Sequence, residues 1–189
     1  RDPETSLAPK ALRDIHPLGK APVITHAGRT VAESGAIVEY LLDEFGPAGL
    51  RPEPGTDAFL EYRYWLHYAE GSAMAKLLLK FIFGRLPDEA PLVAKPLLSL
   101  IDWGISREFI DPELDQHVSF WSDELAERDY FTGDAFTAAD IQMSMPLQFA
   151  LGLDVGGDHP RLNRYLTRLE ERPAYQRAVE KGGGLSMDF

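Results

Sequence analysis

A stretch rich in proline and glycine, residues 47–57, divides this chain into two parts with different sequence patterns. It reads Pro-Ala-Gly-Leu-Arg-Pro-Glu-Pro-Gly-Thr-Asp, so three prolines and two glycines fall within it. These residues interrupt helices and strands, and the stretch has few apolar side chains to bury. We therefore predict a linker here, and the 189 residues suffice for a small domain on each side of it.

The part before the linker, residues 1–46, has the pattern of a small α/β domain. Two short runs rich in β-branched residues flank a turn in which Gly28 provides the tight bend. A later segment repeats apolar residues at helical spacing, from Ile37 to Phe45. The predicted elements are a helix from Ser6 to Arg13, strands over 23–26 and 30–32, and a helix that Ser34 caps and Gly46 ends.

Two strands and two helices make a thin sheet with an uncovered edge, and such small sheets are seldom stable alone. A preceding β-α-β unit of roughly 30 or more residues would complete the domain. We therefore expect residues 1–46 to be a partial domain whose natural N-terminal segment lies upstream of Arg1.

The part after the linker, residues 58–189, has the pattern of an all-helical domain. Apolar side chains recur at steps of three and four residues from Phe59 to Ala73, as on one face of a long helix. Further helices are predicted over about 90–109, 112–127, 138–151 and 160–171, with a short one from Pro173.

Composition excludes several classes of function. The net charge of -11 argues against nucleic acid or an anionic membrane as the main partner, because both require basic patches. The chain has no cysteine, and its five histidines show no metal-ligand spacing, so we predict no disulfide, no thiol nucleophile and no metal within it. The longest apolar run, around 77–83, is too short to span a membrane. We expect a cytoplasmic protein.

Three segments, in this order and spacing, identify a family. They are 16–23 (His-Pro-Leu-Gly-Lys-Ala-Pro-Val), 33–37 (Glu-Ser-Gly-Ala-Ile) and 131–141 (Phe-Thr-Gly-Asp-Ala-Phe-Thr-Ala-Ala-Asp-Ile). Together they resemble the glutathione transferases, most closely a cytosolic subgroup of bacteria and fungi. The resemblance implies a thioredoxin-like domain followed by a helical domain. It also implies a strand, a helix and a strand before the position of Arg1.

We predict a glutathione site at Lys20, Ala21, Pro22, Glu33 and Ser34, in which Lys20 is included for its charge and the other four residues for the resemblance. In the family, the proline that matches Pro22 is cis, and the residue before it, here Ala21, offers its backbone to the cysteinyl part of glutathione. Glu33 suits the γ-glutamyl ammonium, and the Ser34 hydroxyl with the helix start suits the neighbouring carboxylate. Lys20 supplies a positive charge for a glutathione carboxylate. Read without the family, these residues are a trans proline on an edge strand, an N-cap serine and a solvated lysine.

Thr137 and Asp140 have the spacing of a capping box at the start of a helix. We predict that this pair is structural and that replacing Asp140 harms folding more than catalysis.

The predicted activity is conjugation of the glutathione thiolate to small hydrophobic electrophiles by a homodimer, with glutathione as co-substrate. The family's thiolate-stabilising residue lies in the segment expected upstream of Arg1, so no catalytic residue is assigned. Two alternatives stay open: a non-catalytic scaffold or regulatory protein, and a glutathione-dependent thiol reductase or peroxidase. Candidates for the electrophile pocket are Trp65, Tyr68, Met74, Phe81 and Phe83, although most such residues on a long helix belong to the core or a subunit interface.

Overall fold

The structure is a computed structural model that describes residues 8–184. The chain separates into two compact units, Arg1–Pro52 and Glu53–Phe189. The division falls inside residues 47–57, the stretch that the sequence predicts as a linker.

The first unit is built on a β-hairpin. Strands β1 (Val23–His26) and β2 (Arg29–Ala32) pair antiparallel. Ala27 and Gly28 form the two-residue turn, with φ of 49° and 76°, the left-handed values that a type I′ hairpin turn requires. The predicted hairpin is thus confirmed, except that β2 starts one residue earlier than predicted.

The first helix, α1, spans Lys10–Ile15, whereas the sequence predicted a helix from Ser6 to Arg13. Ser6 lies outside the described residues. Pro9 directly precedes the helix with φ -52° and ψ 146°. A proline disfavours helical backbone at the residue before it, which keeps Ala8 out of the helix, and the extended ψ of Pro9 makes Pro9 the N-cap.

Helix α2 (Ser34–Phe45) ends before Gly46 as predicted, begins one residue earlier than predicted, and packs against the hairpin. His26 Nδ1 and the Tyr40 hydroxyl form a hydrogen bond of 2.8 Å that joins β1 to the helix. Ile37 and Leu42 of the apolar stripe are buried, but Phe45 is 66% exposed. Two short strands cover only part of the face of a helix of 12 residues.

Gly19 fixes the loop that leads into β1. Its φ is 58°, in the left-handed region. A Cβ at this position would lie 2.7 Å from both Ala8 Cβ and Arg13 Cγ. Only glycine fits without displacing its neighbours.

The second unit consists of helices throughout its described part. Two long helices each contain one π-helical turn, and three shorter helices follow them. The elements are α3 (Asp57–Tyr68), a π-helical turn (Ala69–Met74) and α4 (Ala75–Arg85); α5 (Lys95–Ile105), a second π-helical turn (Ser106–Ile110) and α6 (Asp111–Glu124); then α7 (Ala138–Gly152), α8 (Pro160–Glu170) and α9 (Pro173–Gly182).

The two helices predicted over 90–109 and 112–127 form one continuous helix from Lys95 to Glu124. The predicted break was placed before Pro112, which has no backbone N–H to donate. In the structure the π-helical turn ends just before this proline, and the Asp111 N–H bonds to the Ser106 carbonyl five residues back. The wider π-helical turn lets the helix continue through Pro112, which lacks the backbone N–H donor.

The core of the second unit is aromatic and aliphatic. Its largest fully buried side chains are Trp65, Trp121, Tyr62, Tyr165, Phe131, Leu77, Leu114, Met143, Leu147, Leu162 and Val118. Trp65 and Tyr68, two candidates for the electrophile pocket, are 1% and 9% exposed. The Trp121 indole N–H donates to the Tyr68 hydroxyl at 3.1 Å. Both candidates therefore serve the core.

Asp140 is a buried carboxylate that ties the start of α7 to its surroundings. One oxygen accepts from the Thr137 N–H at 2.8 Å and from the Thr137 hydroxyl at 3.2 Å. The other accepts from the Phe131 N–H at 3.0 Å and from the Tyr165 hydroxyl at 2.8 Å. The predicted capping box is confirmed. Burial raises the pKa of the Asp140 carboxyl, and these hydrogen bonds oppose that rise.

None of the helices in residues 8–184 combines the length and the apolar character that crossing a membrane requires.

We predict that Asp140→Asn lowers the free energy of unfolding by about 2–4 kcal/mol. The amide turns an NH2 group toward donors and leaves some of them without an acceptor. Urea unfolding followed by tryptophan fluorescence measures the loss. Asp158→Asn, at an exposed position, is the matched control, and equal losses in the two variants would contradict the structural role of Asp140.

We predict that Gly19→Ala destabilises the first unit more than Gly28→Ala does. Both positions have positive φ, which costs an alanine about 1–2 kcal/mol. Only Gly19 adds a steric clash, because nothing lies within 4 Å of a Cβ at Gly28. Amide hydrogen exchange in β1 and β2 reports the opening of this unit. Equal protection in the two variants would show that the close approach at Gly19 is relieved at no cost.

Candidate functional site

The open end of the hairpin brings together two of the predicted site segments. Val23 and Ala32 form the last pair of the ladder. Pro22 precedes Val23 and Glu33 follows Ala32, so they occupy the next position on each strand. Pro22 lacks a backbone N–H, which prevents the ladder from continuing past this pair.

The Ala21–Pro22 peptide bond is cis, as the family resemblance predicts. Both residues are exposed. The backbone of Ala21 is therefore accessible at the end of β1, where an extended ligand can pair with it as a short strand would.

Glu33 joins β2 to α2 in an uncommon conformation. Its φ is 73° and its ψ is 125°, values that are unfavourable for a residue with a Cβ. Strained backbone of this kind clusters at ligand-binding sites, where the rest of the fold maintains it. The Glu33 side chain is exposed, which leaves its carboxylate available to a cation.

The prediction that Ser34 is the N-cap of α2 was wrong by one residue. The Ile37 N–H donates to the Glu33 carbonyl at 2.9 Å, which closes the first helical turn. Glu33 is therefore the N-cap and Ser34 the first residue of the helix. The shift places the half-buried Ser34 side chain within the first turn of α2.

The start of α2 favours an anion. The N–H groups that precede Ile37 have no carbonyl within the helix to accept from them. The positive end of the helix dipole lies at the same place. A carboxylate at Glu33 thus stands beside an anion-favouring terminus. This arrangement matches a ligand whose positive and negative groups are adjacent, as in the free α-amino and α-carboxyl groups of an amino acid.

Lys20 is exposed and lies two residues before Pro22. Its ammonium forms no ion pair with the residues that the structure describes. Over that same part of the chain, no group of three or more histidines, aspartates and glutamates is placed to hold a metal ion.

Sequence reasoning missed two features that shape the site. One is the close packing around Gly19, for which the glycine in the motif at 16–23 was the available signal. The other is the left-handed backbone of Glu33, for which the residue type gave no signal.

Family models match both parts of the chain. Residues 2–49 match the N-terminal domain of glutathione S-transferases, and residues 106–168 match the C-terminal domain. Glutathione S-transferase 3 of Schizosaccharomyces pombe is 31% identical over 176 residues, which cover 92% of this chain and 72% of that protein. Glutathione S-transferase 1 of Saccharomyces cerevisiae is 28% identical, over 96% of this chain and 82% of that protein.

Solved structures of glutathione S-transferases are also similar to this chain. A glutathione S-transferase from Actinobacillus pleuropneumoniae superposes with a TM-score of 0.74 at 30% identity, over 94% of this chain and 75% of its own. A sphingomonad glutathione S-transferase complexed with glutathione gives a TM-score of 0.63 at 26% identity, over 89% and 77%. These matches confirm the predicted fold class, a thioredoxin-like domain followed by a helical domain. The chain belongs to the glutathione S-transferase family.

Proposed function

We propose that this protein binds glutathione at the open end of the hairpin and conjugates its thiolate to small hydrophobic electrophiles. The observation that carries the proposal is that Glu33, whose side chain is exposed, is the N-cap of α2 and lies one residue past the Val23–Ala32 pair that ends the ladder. The sphingomonad relative, whose structure holds glutathione, supports the same ligand.

Glutathione has the groups that this site would recognise. Its γ-glutamyl end carries an ammonium and a carboxylate on one carbon. In the proposal, Glu33 pairs with the ammonium, and the Ser34 hydroxyl and the helix start bind the carboxylate. The exposed backbone of Ala21, before the cis Pro22, pairs with the cysteinyl peptide unit. Lys20 offsets the remaining carboxylate, which an acidic protein would otherwise repel.

The chemical step requires a thiolate. A free thiol with a pKa near 8.5 is only a few per cent ionised at neutral pH. A hydrogen-bond donor at the sulfur raises that fraction, and a binding surface for the electrophile raises the encounter rate. No residue of this chain is assigned as the donor.

Apolar side chains exposed on α4 and α5 support a hydrophobic co-substrate. Leu78 and Ile82 on α4 are 49% and 44% exposed, and Leu97 and Leu100 on α5 are each 62% exposed. Water-exposed apolar area of this kind favours an apolar ligand over a charged one. The activity is accordingly proposed as detoxification of apolar electrophiles.

The proposal includes a homodimer in the cytoplasm. A chain without cysteine suits a reducing compartment, where glutathione is the main thiol buffer. Leu60 and Tyr64 on α3 are 70% and 48% exposed and offer an apolar surface to a second copy.

Light scattering of the full-length protein should give twice the mass of one chain.

We predict that Ser34→Ala weakens glutathione binding by about 1–3 kcal/mol, the usual contribution of a hydrogen bond to a charged group. Calorimetry on the full-length protein measures the change. Ser119→Ala, on the exposed surface of α6, is the control and should bind as the unmodified protein does. If Ser34→Ala folds and keeps full affinity, the carboxylate site is wrong.

We predict that Glu33→Gln weakens binding of glutathione but not of an analogue that lacks the α-amino group. The substitution removes the negative charge and keeps the size of the side chain. The unmodified protein should prefer glutathione to the analogue by about tenfold or more, and the variant should bind both alike. A variant that still discriminates between the two ligands would place the ammonium elsewhere. If the unmodified protein binds neither ligand, the non-catalytic scaffold becomes the better hypothesis.

A further inference from the structure

The helical unit contains a cluster of arginines that the proposed glutathione site does not use. Arg161, Arg164 and Arg168 follow one another at steps of three and four along α8, so they share one face of the helix. Arg128, in the loop after α6, faces the same pocket. The pocket has a volume of about 260 Å³.

Arginines outnumber acidic residues in the lining of this pocket, although the chain as a whole carries a net charge of -11. Four arginines line it, against the two acids Glu127 and Asp129. The neighbouring arginines on α8 have like charges at helical spacings, so they repel one another and destabilise the helix. An anion between them removes that repulsion.

Two of the four guanidinium groups are already paired. Arg168 contacts the Asp129 carboxylate at 2.8 Å and donates to the Asp129 carbonyl at 2.6 Å. Arg128 forms ion pairs with Glu61 and Glu124. These two arginines build the wall of the pocket and have little capacity for a further ligand.

The other two guanidinium groups retain capacity to bind. Arg161 approaches the largely exposed Asp123 carboxylate only to 3.8 Å and the Ser122 carbonyl to 3.4 Å. Arg164 makes no hydrogen bond or ion pair with the residues described. Both residues are exposed and line the pocket.

We propose that this pocket is a binding site for a small dianion with a phosphate group, held between Arg161 and Arg164. Guanidinium groups present paired N–H donors that match two oxygens of a phosphate. The volume suits a small ligand and is below the usual range for drug-sized molecules. The site lies within the helical unit, and its existence does not depend on the glutathione proposal.

Titration of the full-length protein with inorganic phosphate tests the site. Sodium chloride keeps the ionic strength constant, and the arginine Nε–Hε signals are followed by NMR. The signal that disappears in Arg164→Gln identifies Arg164, and in the unmodified protein it should shift and saturate. The proposal would be overturned if the chemical shift of this signal drifted linearly without saturation, or if chloride alone changed it by an equal amount.

A matched pair of variants separates the site from general charge. Arg164→Gln should weaken phosphate binding by about tenfold or more, as followed on the Arg161 signal. Arg177→Gln removes the same charge from the exposed surface of α9 and should stay within about twofold of the unmodified protein. Equal affinities in these two variants would overturn the site. Titration with phenyl phosphate then tests whether the phosphate group belongs to an organic ester or to the free ion. Tighter binding of phenyl phosphate than of inorganic phosphate indicates an ester, and equal binding indicates the free ion.

Discussion

The packing of the helical unit depends on one buried carboxylate. Asp140 accepts hydrogen bonds from two backbone N–H groups and two hydroxyls, which come from the Phe131 segment, from the residue before α7 and from Tyr165 on α8. A buried charge is costly unless its hydrogen bonds are complete, and here each oxygen has two donors. The carboxylate therefore sets the register between the loop at Phe131, the start of α7 and the face of α8. That register also fixes where the arginines of α8 lie.

In the first unit, the feature that positions the neighbouring segments is the end of a two-stranded ladder. Because Val23 pairs with Ala32, the segments that carry Pro22 and Glu33 meet where the ladder stops. The start of α2 follows immediately, so a negative side chain and a positive helix terminus become neighbours through chain connectivity alone. The hydrogen bond between His26 and Tyr40 holds the helix against the strands that position it. The proposed site for a zwitterionic ligand thus needs only a hairpin and one helix.

Much of this organisation was predictable because its signals are local. The turn at Gly28, the apolar spacing of α2 and the Thr137–Asp140 pair each depend on residues a few positions apart. The errors have physical causes that local patterns do not contain. A π-helical turn before Pro112 joined two predicted helices, and Pro9 moved the start of α1. Sequence alone also does not reveal that Glu33 takes the N-cap position in left-handed backbone, since glutamate is an unusual residue there.

The backbone of Glu33 implies a compromise between folding and the proposed ligand recognition. A glycine would adopt φ of 73° at little cost, and the fold alone would be better served by it. A glycine has no carboxylate, however, so the residue type that suits the backbone is the one that cannot pair with an ammonium. Selection for thermal tolerance without selection for turnover would be expected to replace this glutamate by glycine. In the proposed glutathione site, this position therefore keeps a ligand-binding carboxylate at the expense of stability.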